Sequence, residues 1–358
     1  MSYISAKEAA IKWKISQRRV ATLCSDGRID GVMMVGNSWI IPETAIKPQD
    51  ARTKESLKCT GTAKPFLKWA GGKGQLLKEI EKYYPFGKDG NITKYAEPFV
   101  GGGAVLFDIL NKYNLSEIYI SDINAELINT YKTIRDDIDG LLAILGQFER
   151  DYLALQENDR KEAYLAKRAR FNELKANNAM GVEMAALMIF LNKTCFNGLY
   201  RVNRKGEYNV PMGAYKNPQI CNEDNLRNVS EKLKNVQIVC GDYKDSESFI
   251  DEKTFVYFDP PYRPLTPTAN FTSYTEGLFD DENQLELAEF VQKMNNKGAK
   301  VVVSNSDPKN TNEDDNFFDD AYASHNIKRV SATRMINRSS EKRGPINELL
   351  ISNFNFSY

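Results

Sequence analysis

Asp259, Pro260, Pro261 and Tyr262 form a run whose residue types can polarise an exocyclic amine without a metal or a covalent intermediate. The run follows Thr254-Phe255-Val256-Tyr257-Phe258, an apolar β-forming segment that reads as a buried parallel strand. Asp259 therefore falls at the C-terminal end of a strand, where open α/β sheets bind ligands. Two prolines fix the backbone that follows and remove its N–H donors, so carbonyls face the site as unopposed acceptors. Asp259 and the Pro260 carbonyl can each accept one hydrogen of an –NH2 group, which holds the nitrogen lone pair toward an electrophile. Tyr262 offers a face on which a planar base can stack. A tight turn after a core strand accounts equally well for these four residues taken alone.

A second constellation lies upstream. Glu97-Pro98-Phe99-Val100-Gly101-Gly102-Gly103 places glycines where a short strand, Lys94 to Phe99, turns into a helix expected over Ala104 to Asn111. Glycine adopts positive φ and lets backbone approach a ligand closely. Leu106 interrupts any GxGxxG pattern, so a nucleoside fits better than a dinucleotide pyrophosphate. Asp122 follows Gly101 by about 20 residues, at the end of the strand Glu117 to Ser121, the usual place for a carboxylate that binds ribose hydroxyls. Asp242 stands just past another strand, Val236 to Cys240.

These residues need a frame. Further strands are expected at Ala299 to Asn305 and Asn347 to Asn353, and a long charged helical stretch at Ala125 to Lys175. Strands alternating with helices predict an α/β fold with a mostly parallel sheet covered on both faces. Residues 1–47 read as a separate unit. Ser5, with Glu8 three residues on, forms a capping box for a helix through Trp13. A second helix runs from Gln17 to about Cys24, and Gly31 to Ile41 forms a hairpin turning at Gly36-Asn37. That outline resembles the winged helix-turn-helix of MerR and excisionase-type DNA binders, with Gln17, Arg18 and Arg19 opening the recognition helix. A helical interaction module with solvated arginines is the alternative. Residues 48–64 are polar and aperiodic, a linker.

With the motifs in order, the chain from Pro65 to Asn353 resembles the Dam-type, α-class DNA adenine-N6 methyltransferases, which use S-adenosylmethionine. Phe66-Leu67-Lys68-Trp69-Ala70-Gly71-Gly72-Lys73 matches the opening FLKWAGGK segment, and Glu97 to Gly103 the EPFVGxG cofactor loop. Ser121-Asp122-Ile123-Asn124 matches the acidic motif, Asp259 to Tyr262 the DPPY motif, and Pro264 to Tyr274 the loop over the target base. The resemblance implies a Rossmann-like class I methyltransferase domain over 65–140 and 236–358, with a target-recognition domain inserted at 141–235. It places Trp69, Lys73, Glu97, Phe99, Gly101, Gly103, Asp122, Asp242 and Asp259 around the cofactor. It also implies a flipped adenine whose N6 attacks the methyl group in line, with Tyr262 stacked on the base. Trp69 as a core residue and Lys73 as a solvated helix-start charge remain open.

Within the insertion, Asn192 to Gly206 is dense in cations, amides and aromatics, and Glu207 to Gly213 returns as a second arm. A hairpin turning at Lys205-Gly206 can enter a groove, where Arg201 can bond guanine bidentately and Lys193, Arg204 and Lys205 meet phosphates. The stretch resembles the recognition hairpin of enzymes that methylate adenine in GATC. By position, Asn197, Leu199, Arg201 and Pro211 then read bases, Phe196 wedges into the stack and Tyr215 contacts the backbone. Ala214 stands where that pattern has Arg, which leaves flank preference open. A charged surface loop is the other reading. Arg329, Arg334, Arg338, Lys342 and Arg343 form a late basic segment, either a backbone-contact loop or a solvated charge run.

The bulk numbers agree with an ordinary globular chain: 358 residues, 42% hydrophobic, 27% charged, and 48 basic against 48 acidic residues. Balanced charge excludes a wholesale basic wrapper, so contact with double-stranded DNA must come from local patches. With one histidine and no close cysteine pair, no metal site is expected. No signal peptide and no membrane span are read, and five scattered cysteines suit a reducing, cytoplasmic setting. A cognate restriction endonuclease is a possible partner. Two rivals stay open: an amino-methyltransferase acting on RNA or a protein glutamine, and a helix-turn-helix regulator that keeps the catalytic body as a scaffold.

Overall fold

The computed structural model describes residues 3–45 and 61–355, apart from positions 14, 26, 28, 30, 37, 70, 88, 89, 264–278 and 334–344. The chain divides into two compact units, Met1–Cys59 and Thr60–Tyr358.

The first unit starts with β1 (Tyr3–Ser5), α1 (Ala6–Trp13) and α2 (Gln17–Ser25), followed by β2 (Met33–Val35) and β3 (Ser38–Pro42). Ser5 Oγ accepts the Glu8 N–H at 3.2 Å while Glu8 Oε2 accepts the Ser5 N–H at 2.8 Å. This reciprocal pair satisfies two backbone donors that a helix start leaves free. Ala9, Ala10, Trp13, Val20, Leu23 and Ile41 form its small core. The hairpin pairs Val35 with Ser38, as expected, although Asn37 itself lies outside the described residues. β1 was not expected; its three residues pair with β3 in a sheet ordered β1-β3-β2.

In the second unit the strands are β4 (Lys94–Glu97), β5 (Glu117–Asp122), β6 (Val236–Cys240), β7 (Thr254–Phe258), β8 (Lys300–Ser306), β9 (Asn326–Thr333) and β10 (Pro345–Ser352). They form one sheet ordered β6-β5-β4-β7-β8-β10-β9. The first five run parallel, and β10 and β9 are antiparallel additions. Helices are α3 (Leu77–Ile80), α4 (Ala104–Lys112), α5 (Ala125–Asp136), α6 (Ile138–Ala154), α7 (Glu157–Ala176), α8 (Val182–Thr194), α9 (Glu223–Leu233), α10 (Asp281–Asn296) and α11 (Phe317–Ala321). Phe255 and Tyr257 enter one apolar cluster, Val256 and Phe258 the other. Both faces of β7 are thus covered, which is why its sequence is continuously apolar rather than alternating.

The stretch from 125 to 175 is three helices rather than one. Asp137 leaves helical geometry at φ −142° and its side chain caps α6 by accepting the Gly140 N–H at 3.0 Å. Leu155 and Gln156 break the chain again in extended conformation. The breaks let α5, α6 and α7 each pack on α8, whose residues Met184 to Asn192 are all buried.

Arg329 requires a correction. It sits in strand β9, with Nε 3.0 Å from Asp307 Oδ2 and Nη2 2.7 Å from Asp319 Oδ2. The guanidinium is therefore committed to two carboxylates rather than presented by a loop. Arg334, Arg338, Lys342 and Arg343 lie outside the described residues. Because the Asp307 side chain is fully buried, Arg329→Ala should lower unfolding free energy by about 2–4 kcal/mol in urea titration. A variant as stable as the parent would contradict this pairing.

Candidate active site

The end of β7 gathers Lys73, Ser304 of β8 and Glu348 of β10 around Asp259 and Tyr262. Asp259 Oδ1 lies 2.7 Å from Lys73 Nζ, a lysine only 4% exposed, and accepts the Ser304 hydroxyl at 2.9 Å. Ser304 in turn accepts from the Tyr257 hydroxyl at 2.9 Å. Lys73 also donates to the Gly71 carbonyl at 2.8 Å and sits 4.4 Å from the centroid of the Tyr262 ring. The Tyr262 hydroxyl donates to Glu348 Oε2 at 2.5 Å. Burial raises the Asp259 carboxyl above the usual carboxylate range, and the Lys73 ammonium and Ser304 hydroxyl oppose that shift. Removing Lys73 would leave a desolvated carboxylate without its cation, a loss of about 3–5 kcal/mol in comparable buried pairs.

The proline backbone behaves differently at its two carbonyls. Gln284 Nε2 donates to the Pro261 carbonyl at 2.9 Å, so that oxygen is engaged, contrary to the expectation of unopposed acceptors along the whole turn. Among the described residues the Pro260 carbonyl accepts no hydrogen bond, which leaves it available for an –NH2 group. Arg263 then anchors the chain by pairing with Asp281 and Asp315, each at 2.7 Å.

The turn from β4 to α4 lies beside this cluster. Glu97, 2% exposed, accepts the Tyr95 hydroxyl at 2.7 Å. Burial drives its pKa well upward; the Tyr95 bond and the Lys73 charge act against that, and the Asp259 charge adds to it. Gly101 and Gly103 both have positive φ, 46° and 71°. A Cβ on Gly101 would meet Trp69 Cδ1 at 2.8 Å, and one on Gly103 would meet the Tyr131 hydroxyl at 2.5 Å and Phe107 at 2.9 Å. Part of the demand for glycine is thus made by the protein's own aromatic side chains. Asp122 accepts the Gly101 N–H at 3.1 Å and the Asn124 N–H at 2.9 Å, one on each oxygen. Spare lone pairs remain on both oxygens, as a carboxylate that binds a diol requires. Burial raises the Asp122 pKa, opposed by these backbone donors.

Phe99 stacks on Tyr243 at 5.5 Å between centroids. Asp242 is exposed and accepts the Lys244 N–H at 2.9 Å, next to the point where Gly241 donates to the Asp122 carbonyl at 3.2 Å. These carboxylates and aromatics line one end of the sheet. Among the described residues no group of three or more His, Cys, Asp or Glu side chains is placed to hold a metal ion.

The expected hairpin is present in outline. Val202 bridges Tyr208 and Cys195 bridges Met212, with the Gly206 N–H closing the turn on the Asn203 carbonyl at 2.9 Å. Phe196 is 52% exposed, and Asn197 adopts φ +56°. Arg201 is exposed, its Nε held by Asn209 Oδ1 at 2.7 Å, which presents rather than neutralises the guanidinium. Leu199 and Tyr215 are partly buried, Pro211 is exposed, and Lys68 lies 5.2 Å from the Tyr215 ring centroid. In the first unit, Gln17 and Arg18 are exposed at the start of α2, while the Arg19 side chain lies outside the described residues.

Sequence reasoning missed Ser304, Glu348 and Tyr200. The register pairs Phe258 with Val303, so Ser304 arrives opposite Asp259; a polar Ser-Asn ending the apolar run of β8 was the available signal. Tyr200 stacks on Trp69 at 5.6 Å and donates to Glu126 at 3.1 Å, joining the hairpin to the glycine turn.

A profile described as D12 class N6 adenine-specific DNA methyltransferase matches residues 69–336. The type II methyltransferase M.MjaIII of Methanocaldococcus jannaschii is 52% identical over 293 residues, covering 81% of this chain and 99% of that protein. A type II methyltransferase of Lactococcus lactis is 36% identical over 293 residues, 81% of this chain and 95% of its own length. A DNA adenine methylase of Haemophilus influenzae is 35% identical over 298 residues, 83% and 96% respectively.

The buried Glu97 carries a pH test. With its folded pKa raised above 4.5, it contributes stability below the unfolded value that is lost as pH rises toward the folded one. Glu97→Gln, which keeps an acceptor for Tyr95, should therefore show a smaller fall in unfolding free energy between about pH 5 and pH 8 than the parent. Parallel pH profiles for the two proteins would contradict the assignment.

Proposed function

The chain belongs to the D12 class N6 adenine-specific DNA methyltransferases, and on that premise we propose that it methylates adenine within GATC after turning the base out of the duplex. The observation that carries the reading is the Lys73–Asp259–Tyr262 cluster at the end of β7. Extrusion costs a few kcal/mol, which a ring face and convergent acceptors in the pocket offset. Tyr262 stacks on the base, on the face away from the Lys73 ammonium. Asp259 and the Pro260 carbonyl each accept one N6 hydrogen, leaving the nitrogen lone pair directed away from both. Asp259 need not be a strong base beforehand, because the amine becomes acidic only as it gains the methyl group.

S-adenosylmethionine, the methyl donor of the family, supplies a sulfonium leaving group when bound. Asp122 would hold its ribose hydroxyls, with Gly101 and Gly103 shaping the turn and Trp69, Glu97, Phe99 and Asp242 completing the wall. The Lys73 ammonium opposes the upward shift that burial imposes on Asp259. The protein's contribution is positioning and electrostatics.

Recognition of GATC is assigned to the inserted hairpin. Asn197, Leu199, Arg201 and Pro211 contact bases, Phe196 wedges into the stack, and Tyr215 meets the backbone. The exposed, Asn209-oriented Arg201 supports this. The chain is accordingly divided into a catalytic domain at 65–140 and 236–358 and a recognition domain at 141–235. A linker at 48–64 joins them to a winged helix-turn-helix module at 1–47, where Gln17, Arg18 and Arg19 add DNA contacts. The loop at 264–274, read as covering the target base, lies outside the described residues. Relatives named type II methyltransferases favour a cognate restriction endonuclease as partner.

Labelled methyl transfer to matched duplexes carrying GATC, GTTC or premethylated GATC tests the reading. Label confined to unmodified GATC is expected, and label on every adenine-containing duplex would refute the hairpin assignment. Arg201→Ala should then reduce preference for GATC over a site altered at guanine by about tenfold to a hundredfold.

A further inference from the structure

Two prolines restrain the backbone leading to Tyr262, but they do not set the orientation of its ring. That orientation depends on what the hydroxyl reaches. It reaches Glu348, at 2.5 Å, the short distance of a hydroxyl bonded to a carboxylate. Glu348 lies on β10, which is paired on both sides, with β8 through Glu348↔Ser306 and with β9 through Glu348↔Val330. The acceptor is thus mounted on a strand inside the sheet, a more rigid support than a loop. Its successors Leu349, Leu350 and Ile351 are fully buried apolar residues. Among the described residues Glu348 enters no ion pair, and its partner there is the Tyr262 hydroxyl.

We propose that Glu348 is a positioning residue for methyl transfer: it acts through the Tyr262 hydroxyl to hold the ring at the tilt that the extruded adenine requires. The inference rests on the reading of Tyr262 as the stacking platform. A ring free to turn would still bind cofactor and duplex, but would leave the amine misaligned with Asp259, and small misplacements of a reacting group cost large factors in rate.

The test uses the full chain and four variants: Glu348→Ala, Glu348→Gln, Tyr262→Phe and the double variant Glu348→Ala/Tyr262→Phe. Single-turnover rate and KM for S-adenosylmethionine are read on one GATC duplex, and fluorescence on the same duplex with 2-aminopurine replacing the target adenine. Glu348→Ala should lower the rate about tenfold to a hundredfold, with KM for the cofactor changed less than about threefold and a weaker 2-aminopurine signal. Glu348→Gln keeps an acceptor oxygen and should return the rate to within about threefold of the parent. Tyr262→Phe should lose about as much as Glu348→Ala, and adding Glu348→Ala to it should change the rate less than about twofold.

Parental rates in Glu348→Ala would overturn the inference, as would a full further loss in the Tyr262→Phe background. Tyr262→Phe removes the same bond without altering β10, so an unchanged rate there overturns it even if Glu348→Ala fails to fold. No methyl transfer to adenine by the parent chain would overturn the underlying reading instead, and the inference with it.

Discussion

A carboxylate shielded from water must be paired or must hold its proton, and this constraint organises the catalytic end of the sheet. Asp259 is given a cation by Lys73 and a hydroxyl by Ser304, while Glu97 close by is buried so deeply that its proton is retained toward higher pH. Burial raises both acids; at Asp259 the Lys73 charge and the Ser304 hydroxyl oppose the rise, at Glu97 the Asp259 charge adds to it. Lys73 is itself almost fully buried and also donates to the Gly71 carbonyl, so its ammonium has two acceptors in place of water. Its ammonium also lies against the Tyr262 ring, a contact worth about 0.5–2 kcal/mol, which couples the acidic group to the stacking surface.

The fold delivers these groups by strand ends and register rather than by a single loop. Asp259 and Ser304 arrive from neighbouring parallel strands, Glu348 from the antiparallel strand next in the sheet, and Asp122 from the far side of β4. Trp69 occupies the space a Gly101 side chain would need and stacks on Tyr200 at the base of the hairpin. The surface assigned to DNA reading and the turn assigned to the cofactor are therefore packed on one indole ring. Tyr200 is further secured by Glu126, which pairs with Lys175 at 2.7 Å.

What was legible in the sequence follows from which forces are local. The Ser5–Glu8 cap is a four-residue event and is found as written. Strand β7 matches its expected bounds because an apolar β-branched and aromatic run marks a strand buried on both faces, and edge strand β6 matches because Val236 and Ile238 alternate with more exposed neighbours. The seam between α5 and α6 was hidden, since the helical pattern runs through Asp137 and only the backbone reveals its cap. β9 is hidden because Asn326 to Thr333 mixes polar and apolar residues at a sheet edge, so Arg329 reads as part of a basic segment rather than of a strand. The motif residues Asp259, Lys73, Asp122 and Gly101 could be singled out, yet their partners Ser304 and Glu348 could not. Those contacts are created by register between distant strands, which no local pattern encodes. At Gly103 the crowding by Tyr131 and Phe107 is a demand for glycine that no local pattern reveals.

The central claim is that Asp259 orients the target amine and does not merely close a turn. Single-turnover methyl transfer by Asp259→Ala, with duplex binding measured on the same preparation, tests it most directly. Loss of transfer by a factor of about a thousand or more, with duplex affinity kept within a few-fold, is the predicted result. Transfer at a rate near that of the parent would contradict it.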